Sequence, residues 1–171
     1  TLHGALELSR IACGKLVRLD TASAQAMPGV VAVLGPQDIP GRNDIAAIGK
    51  NEPLFASDRV EFAGQTLAMV VAGSLDAARA AAAKVIVEIE AEEPVLDIAT
   101  ALARESYVQA PATILRGDPD AALAGAPHRL TAEFSVGGQE HFYLESQIAF
   151  ALPGEDGDIT VSTVDDASFF L

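Results

Sequence analysis

Short apolar segments of two kinds alternate along the chain, and turn-forming residues separate them. Val30–Leu34 is wholly apolar and follows Pro28-Gly29, a pattern typical of a short buried strand. Residues 75–84 carry apolar side chains at helical spacing and follow Ser74, a residue type that commonly caps helices. No apolar run approaches the roughly 18 residues of a membrane-spanning helix. The pattern therefore predicts an α+β fold of short strands and short helices.

Applied to the rest of the chain, the same signals predict a series of further elements. Additional strands are expected at residues 2–9, 15–19, 60–62, 66–72, 85–90, 130–136, 147–152 and 158–161, and additional helices at 21–27, 97–104 and from Asp118-Pro119 to Gly125. Residues 35–53 are rich in Gly, Pro, Asn and Asp and are expected to be mostly loop. The last third is predicted to be richer in strands than the part before Ala110-Pro111.

The charge balance excludes several classes of partner. The 171 residues include 11 basic and 24 acidic side chains, which give a net charge of −13. A protein that binds the phosphate backbone of nucleic acids needs concentrated Lys and Arg, and an anionic membrane surface makes the same demand. The single cysteine, Cys13, excludes an internal disulfide and a thiolate cluster made by this chain alone. We therefore expect neither nucleic acid nor membrane as a partner, and a cytoplasmic location.

No self-contained catalytic signature is present. Gly14-Lys15 lacks the remainder of a phosphate-binding loop, and the three histidines have no partner at metal-ligand spacing. Cys13 is interpreted as a small packing residue because no base is placed beside it. The acidic run at residues 85–93 is interpreted as the solvated face of a strand, and the acidic residues 155–158 as a hairpin turn.

One polar segment differs from the rest of the chain. Gly137-Gly138 interrupts a strand-like pattern and allows the backbone to approach another group closely. Gln139 follows, and its uncharged primary amide offers both a donor and an acceptor without titrating. An imidazole, a phenol and two carboxylates crowd into the next six positions, 140–145. Such a segment suits either the contact with an oxygen-bearing ligand or a polar strand end with satisfied hydrogen bonds.

This segment, Gly-Gly-Gln-Glu-His-Phe-Tyr-Leu-Glu, resembles a signature of the xanthine dehydrogenase/aldehyde oxidase family of molybdenum hydroxylases. Residues 27–34 (Met-Pro-Gly-Val-Val-Ala-Val-Leu), 52–60 (Glu-Pro-Leu-Phe-Ala-Ser-Asp-Arg-Val) and 64–90 resemble that family's a/b hammerhead domain. Residues 116–122 resemble the connecting helix that follows it. The resemblance implies a hammerhead domain over residues 1–108. It implies a connecting helix and the truncated start of a molybdopterin-binding domain over residues 109–171.

The resemblance also implies roles for individual residues. It implies that Gln139 hydrogen-bonds an oxygen ligand of molybdenum without coordinating the metal, and that Gly137 and Gly138 shape this cofactor-binding loop. Four further residues of the motif are given supporting roles around it: Glu140, His141, Tyr143 and Glu145. The family's catalytic base belongs to a downstream segment that is absent here. The chain is therefore expected to hold no catalytic residue and only part of the cofactor site.

At the level of function, the resemblance implies a fragment of the molybdenum-binding subunit of a xanthine dehydrogenase. Such an enzyme hydroxylates hypoxanthine and xanthine to urate with oxygen from water, and electrons pass through 2Fe–2S clusters and FAD to NAD. The implied partners are the iron–sulfur/FAD subunit and the remainder of the molybdenum subunit, in a dimer of heterodimers. Two alternatives stay open: an aldehyde or N-heterocycle hydroxylase, and a non-catalytic assembly scaffold.

Both ends of the sequence support the interpretation as a fragment. Thr1 stands where an initiator Met is expected, and the chain ends on the apolar residues Phe169, Phe170 and Leu171. After Thr163 the sequence departs from the family pattern, because Val164 stands at the position of an expected glutamine and the following proline is missing. We therefore assign no function beyond Thr163 and expect the isolated fragment to be inactive.

Overall fold

The structure is a computed structural model that describes residues 1–46, 52–139, 142, 144 and 146–163. The chain divides into two compact units, Thr1–Val108 and Gln109–Leu171. The described elements confirm the predicted α+β class, since short antiparallel strands and short helices are interspersed along the chain.

The first unit contains two three-stranded antiparallel sheets. Its elements are β1 (His3–Leu8), β2 (Gly14–Asp20), α1 (Ala22–Gln25), β3 (Val30–Leu34), β4 (Arg59–Val60), β5 (Thr66–Ala72), α2 (Leu75–Ala82), β6 (Ile86–Ala91) and α3 (Ile98–Ala103). One sheet has the strand order β1-β5-β3, and the other has the order β4-β2-β6. Both sheets pair strands that are distant in the sequence, so neither is a simple succession of hairpins.

The helix starts follow the capping residues that the sequence indicates. The Ser74 hydroxyl accepts a hydrogen bond from the Ala77 N–H at 3.2 Å, at the start of α2. The Asp97 carboxylate accepts one from the Thr100 N–H at 2.8 Å, at the start of α3. These bonds satisfy backbone donors that have no partner within the first helical turn. The predicted caps of both helices are therefore confirmed.

The core of the first unit lies between helix α2, the inner face of the β1-β5-β3 sheet and the second sheet. Leu67, Val60 and Val70 are its largest fully buried side chains. Helix α2 contributes three small buried alanines at positions 78, 81 and 82, which bring the helix close to β1 and β5. Leu19 and Val87, from the second sheet, pack against both clusters of buried residues. Burial of these apolar groups is the main stabilising contribution in this unit.

Side-chain amides replace missing strand partners in the loops. The Asn43 Nδ2 donates to the Phe55 carbonyl at 2.6 Å, and the Phe55 N–H donates to the Asn43 Oδ1 at 3.0 Å. The Gln25 Oε1 similarly accepts a hydrogen bond from the Val33 N–H at 3.0 Å. The described part of residues 35–53 contains a 3-10 turn, Pro36–Asp38, and otherwise no helix or strand. The predicted loop is thus confirmed there, and Asn43 anchors it.

The second unit contains α4 (Pro119–Gly125) and a hairpin of β7 (Ala149–Pro153) and β8 (Ile159–Thr163). The Asp118 carboxylate caps α4 by accepting a hydrogen bond from the Ala121 N–H at 2.9 Å. The hairpin confirms the predicted antiparallel pair, and a 3-10 turn at Glu155–Gly157 connects its strands.

The strand predicted at residues 130–136 is wrong for this structure, which has no strand there. The alternating apolar side chains of this segment project into solvent, with Leu130 94% exposed and Phe134 86% exposed. Alternation favours a strand, but a strand also needs a neighbour that accepts and donates backbone hydrogen bonds. No described strand pairs with this segment.

Candidate cofactor-contact segment

The segment that the sequence singled out lies in the second unit, directly after Val136. Gly137, Gly138 and Gln139 are all exposed and belong to no helix or strand. A Cβ atom added at either glycine would meet no other described atom within 4 Å. The two glycines therefore leave open space on this surface, and no close approach to the described part of the chain requires them.

The Gln139 amide is presented to solvent. It makes no hydrogen bond with any residue that the structure describes. A primary amide in this state has its two N–H donors and its carbonyl acceptor available for a ligand. The group is neutral at every accessible pH, so it can contact an anionic oxygen ligand without exchanging a proton with it. This chemistry fits the hydrogen-bonding role that the resemblance implies.

The structure describes only part of the rest of this segment. Phe142 takes a positive φ of 50° and its side chain is 91% exposed, while Leu144 is fully exposed. A positive φ is uncommon for a bulky residue. The four supporting residues, Glu140, His141, Tyr143 and Glu145, lie outside the described residues. Their roles stay predictions.

The described residues contain no group that could itself hold a metal ion, since no cluster of three or more His, Cys, Asp or Glu occurs among them. Cys13 lies in the first unit, where its thiol is 3.5 Å from the Glu92 carbonyl oxygen and half-buried. This position agrees with its interpretation as a packing residue. Among the described residues, this segment therefore presents a hydrogen-bonding amide, and its contact with a molybdenum cofactor stays a prediction.

The acidic run at residues 85–93 lies on strand β6 and just beyond it, as predicted. The structure adds ion pairs that the sequence pattern did not reveal. Glu92 accepts two hydrogen bonds from Arg59, both at 2.7 Å, and Glu88 accepts one from Arg18 at 3.0 Å. The hydrogen bonds from Arg59 lower the pKa of Glu92. Solvent screens exposed pairs of this kind and leaves them little weight in stability, so we interpret them as fixing local register rather than as a site.

A cavity in the first unit contains a carboxyl group that the sequence analysis missed. The cavity has a volume of about 360 Å³ and is lined mainly by apolar residues of both sheets, including Leu8, Leu67 and Val87. Glu7 also lines it, and burial raises the pKa of this carboxyl, while the nearby Arg10 opposes the shift. The available signal was the alternation of β1, which places position 7 on the same face of the sheet as Ala5.

This environment predicts a pH-dependent effect of Glu7→Gln. The pKa of Glu7 is higher in the folded state than in the unfolded state, so the folded state binds the proton more tightly. The stability of the folded state therefore falls as the pH rises from the ordinary pKa of a glutamate through the raised pKa of Glu7. Glu7→Gln is therefore expected to raise the melting temperature near pH 7 and to change it little below about pH 4. The exposed Glu90→Gln is the matched control for lost negative charge. Thermal unfolding at both pH values checks this, and equal gains from the two variants would contradict it.

Each of the two units contains a match to the model of a known protein family. Residues 1–93 match the aldehyde oxidase and xanthine dehydrogenase a/b hammerhead domain, and residues 103–169 match the molybdopterin cofactor-binding domain. Gln139 lies within the second match. The fold and the position of the candidate segment therefore agree with the domain types that the sequence resembled.

Individual relatives give the same result. The chain is 35% identical over 159 residues to the xanthine dehydrogenase/oxidase of Gallus gallus, and these residues represent 92% of the chain and 12% of the relative. It is 37% identical over 170 residues to aldehyde oxidase 2 of Cavia porcellus, which represents 97% of the chain and 12% of that protein. The chain thus spans about an eighth of the length of these relatives.

A solved structure agrees in fold as well as in sequence. The aldehyde oxidoreductase of Desulfovibrio gigas matches with a TM-score of 0.78 and 31% identity, over 95% of the chain and 20% of that structure's chain. No helix in the described part of the chain has the length and apolar character needed to cross a membrane.

Together, the hammerhead match over more than half of the chain and the molybdopterin-binding match that follows it show that this chain belongs to the aldehyde oxidase and xanthine dehydrogenase family of molybdenum hydroxylases.

Proposed function

We propose that this chain is part of the molybdenum-binding subunit of a xanthine dehydrogenase that hydroxylates hypoxanthine and xanthine to urate. The observation that carries the proposal is the exposed amide of Gln139, which has no hydrogen-bond partner among the described residues and lies within the molybdopterin-binding match. The sequence Gly-Gly-Gln-Glu-His-Phe-Tyr-Leu-Glu matches the family's motif almost residue for residue and favours the purine-oxidising branch of the family.

The residues of this chain have a limited part in the proposed reaction. The molybdenum cofactor, when bound, supplies two-electron oxidation with oxygen derived from water. Gln139 would hold an oxygen ligand of the cofactor by a hydrogen bond from its amide, and because that amide does not titrate, its donors and acceptor are available at every working pH. Gly137 and Gly138 leave room beside it, since neither carries a side chain that would fill the open surface. The catalytic base and the substrate-orienting groups come from the remainder of the subunit.

The proposal extends to domain limits and partners. The hammerhead domain covers residues 1–108, and the connecting helix and the start of the molybdopterin-binding domain cover residues 109–171. The division into compact units at Val108 and Gln109 supports this boundary. The partners are the remainder of the molybdenum subunit and an iron–sulfur/FAD subunit that passes electrons to NAD. The parent protein is a cytoplasmic dimer of heterodimers that acts in purine catabolism.

The test of this proposal uses the native full-length protein. Molybdenum and pterin content are measured together with xanthine-dependent reduction of NAD. Molybdenum and pterin with xanthine turnover are the expected result. A properly matured preparation with neither metal nor pterin would overturn the enzyme proposal and leave the assembly scaffold.

A second candidate is an aldehyde or N-heterocycle hydroxylase. The similarity to aldehyde oxidase 2 of Cavia porcellus, at 37% identity, favours it as much as the similarity to the xanthine dehydrogenase/oxidase favours the first candidate. The same preparation distinguishes the two. Molybdenum and pterin without xanthine turnover, but with oxidation of an aldehyde or a quinoline, would move the substrate to this second class.

A further inference from the structure

The cavity that Glu7 lines has an uncharged, apolar wall. Val85, Val87 and Ile89 form it along β6 and the residue before that strand, and Leu67 of β5 also lines the cavity and is fully buried. Val87 and Ile89 pack against the buried cluster that contains Leu67. Alternate residues of a strand share a face, so the glutamates of β6 lie on the opposite face of that strand. The wall therefore offers contact to an apolar group.

Two charged side chains of opposite sign also line this cavity. Glu7 lies on β1 and is half-buried, whereas Arg10 follows the end of that strand and is exposed. The two groups influence each other electrostatically, yet neither makes a hydrogen bond or a close ion pair with a residue that the structure describes. The acceptors of the carboxylate and the donors of the guanidinium are therefore available to a ligand.

The carboxylate of Glu7 is incompletely hydrated. Burial raises its pKa, which means that the surroundings disfavour the charged form more than Arg10 favours it. A positive group that donates hydrogen bonds would stabilise this carboxylate. A ligand with only a positive charge would be repelled by Arg10, and a ligand with only a negative charge would be repelled by Glu7. The two side chains together therefore favour a ligand that carries both charges.

The turn between the two charged residues is held in place. Ser9 is buried, and its N–H donates to the Gln65 carbonyl at 2.8 Å. The Ser9 hydroxyl donates to the Ile11 carbonyl at 2.8 Å and lies 3.1 Å from the Ile11 N–H, which donates to it. These bonds fix the backbone on both sides of Arg10, so binding a ligand there orders little additional chain.

We propose that this cavity binds a free apolar α-amino acid, with leucine as the representative. The ammonium group of the amino acid pairs with Glu7, its carboxylate pairs with Arg10, and its side chain packs against the apolar wall. An α-amino acid carries both charges on one carbon beside its side chain, so it matches all three features at once. The volume of about 360 Å³ lies within the range of about 300–1,000 Å³ that is typical of small-molecule sites.

This inference does not depend on the proposed function, because the residues that line the cavity all precede the molybdopterin-binding match. Isothermal titration calorimetry of the full-length native protein with L-leucine tests it. Isopentylamine lacks the carboxylate, isocaproate lacks the ammonium group, and glycine lacks the apolar side chain. Each of these three compounds is expected to bind about 10-fold more weakly than L-leucine, or weaker still, because each loses one of the three contacts.

Variants of the two charged residues locate the bound amino acid. Glu7→Gln and Arg10→Gln should each weaken the binding of L-leucine by about 10-fold or more. Glu90→Gln removes an exposed negative charge outside the cavity and should change the affinity by less than about twofold, because solvent screens that charge. The melting temperature of each variant shows that it is folded, and the comparison of the four compounds on the unmodified protein needs no variant.

Three results would overturn the proposal. One is the absence of binding by L-leucine at concentrations up to about 10 mM. Another is equal affinity for L-leucine, isopentylamine and isocaproate, which would show an apolar site without recognition of either charge. The third is unchanged affinity in both Glu7→Gln and Arg10→Gln, which would place the bound amino acid elsewhere in the protein.

Discussion

Gln139→Ala in the full-length enzyme is expected to lower turnover by about 10- to 100-fold while molybdenum and pterin content stay near normal. A hydrogen bond to a charged group contributes about 1.5–3 kcal/mol, and each 1.4 kcal/mol corresponds to a tenfold change in rate. The amide is exposed and has no hydrogen-bond partner in the described part of the chain, so its removal leaves no described polar group unsatisfied. Steady-state kinetics and metal analysis of the same preparation check the prediction.

Two further variants make this prediction specific. Gln109→Ala removes an exposed amide of the same unit outside the motif and is expected to leave turnover unchanged. Gln139→Glu keeps the shape of the side chain but replaces two donors by a carboxylate, and it should be at least as harmful as Gln139→Ala. If Gln139→Ala is silent, or if activity and metal content fall together, the amide has no contact of its own with the cofactor and the scaffold interpretation gains support.

Gly14→Ala is expected to destabilise the first unit by about 3 kcal/mol or more. Gly14 is buried and pairs with Val60 on one side and with Ala91 on the other. A Cβ atom at this position would collide with the Glu90 carbonyl oxygen and lie 2.9 Å from the Ala91 Cα. Both obstacles are backbone of the neighbouring strand, so no side-chain rotation relieves them, and β6 must move away from β2.

The matched control is Gly41→Ala, because a Cβ atom there would meet no described atom within 4 Å. A change of this kind is expected to stay within about 0.5 kcal/mol. Urea unfolding followed by far-ultraviolet circular dichroism measures both variants, and weakened hydrogen-exchange protection of β2 and β6 should accompany Gly14→Ala. Equal stabilities of the two variants would show that the second sheet absorbs a methyl group at its centre without cost.

Much of the local structure was predictable because its causes lie within a few residues. Val30–Leu34 and Thr66–Ala72 form strands with the predicted bounds. The helix after Ser74 and the helix after Asp118 begin where their capping residues indicate. Capping and hydrophobic periodicity are local effects, and they act before any distant part of the chain is in place.

The predictions that failed or fell short depended on distant partners. The alternation at residues 130–136 indicated a strand, but no described strand lies beside it to complete the backbone hydrogen bonds. Strand β4 is confined to Arg59–Val60, because only Lys15 and Gly14 pair with it. The ion pairs of Glu88 and Glu92 join residues separated by 70 and 33 positions, a separation that no local pattern reports.

By itself, the sequence determined the α+β class, the capped helices, the resemblance to the molybdenum hydroxylases and the identity of Gln139 as the candidate contact. The α+β class and the caps follow from short patterns whose chemistry is complete within one segment, whereas the role of Gln139 is what the resemblance implies. Only the tertiary structure decided that Gly14 stands between two neighbouring strands and that Glu7 lines a largely apolar cavity. Each of these depends on pairing between segments far apart in the chain, where excluded volume and burial are set by the neighbour and not by the residue.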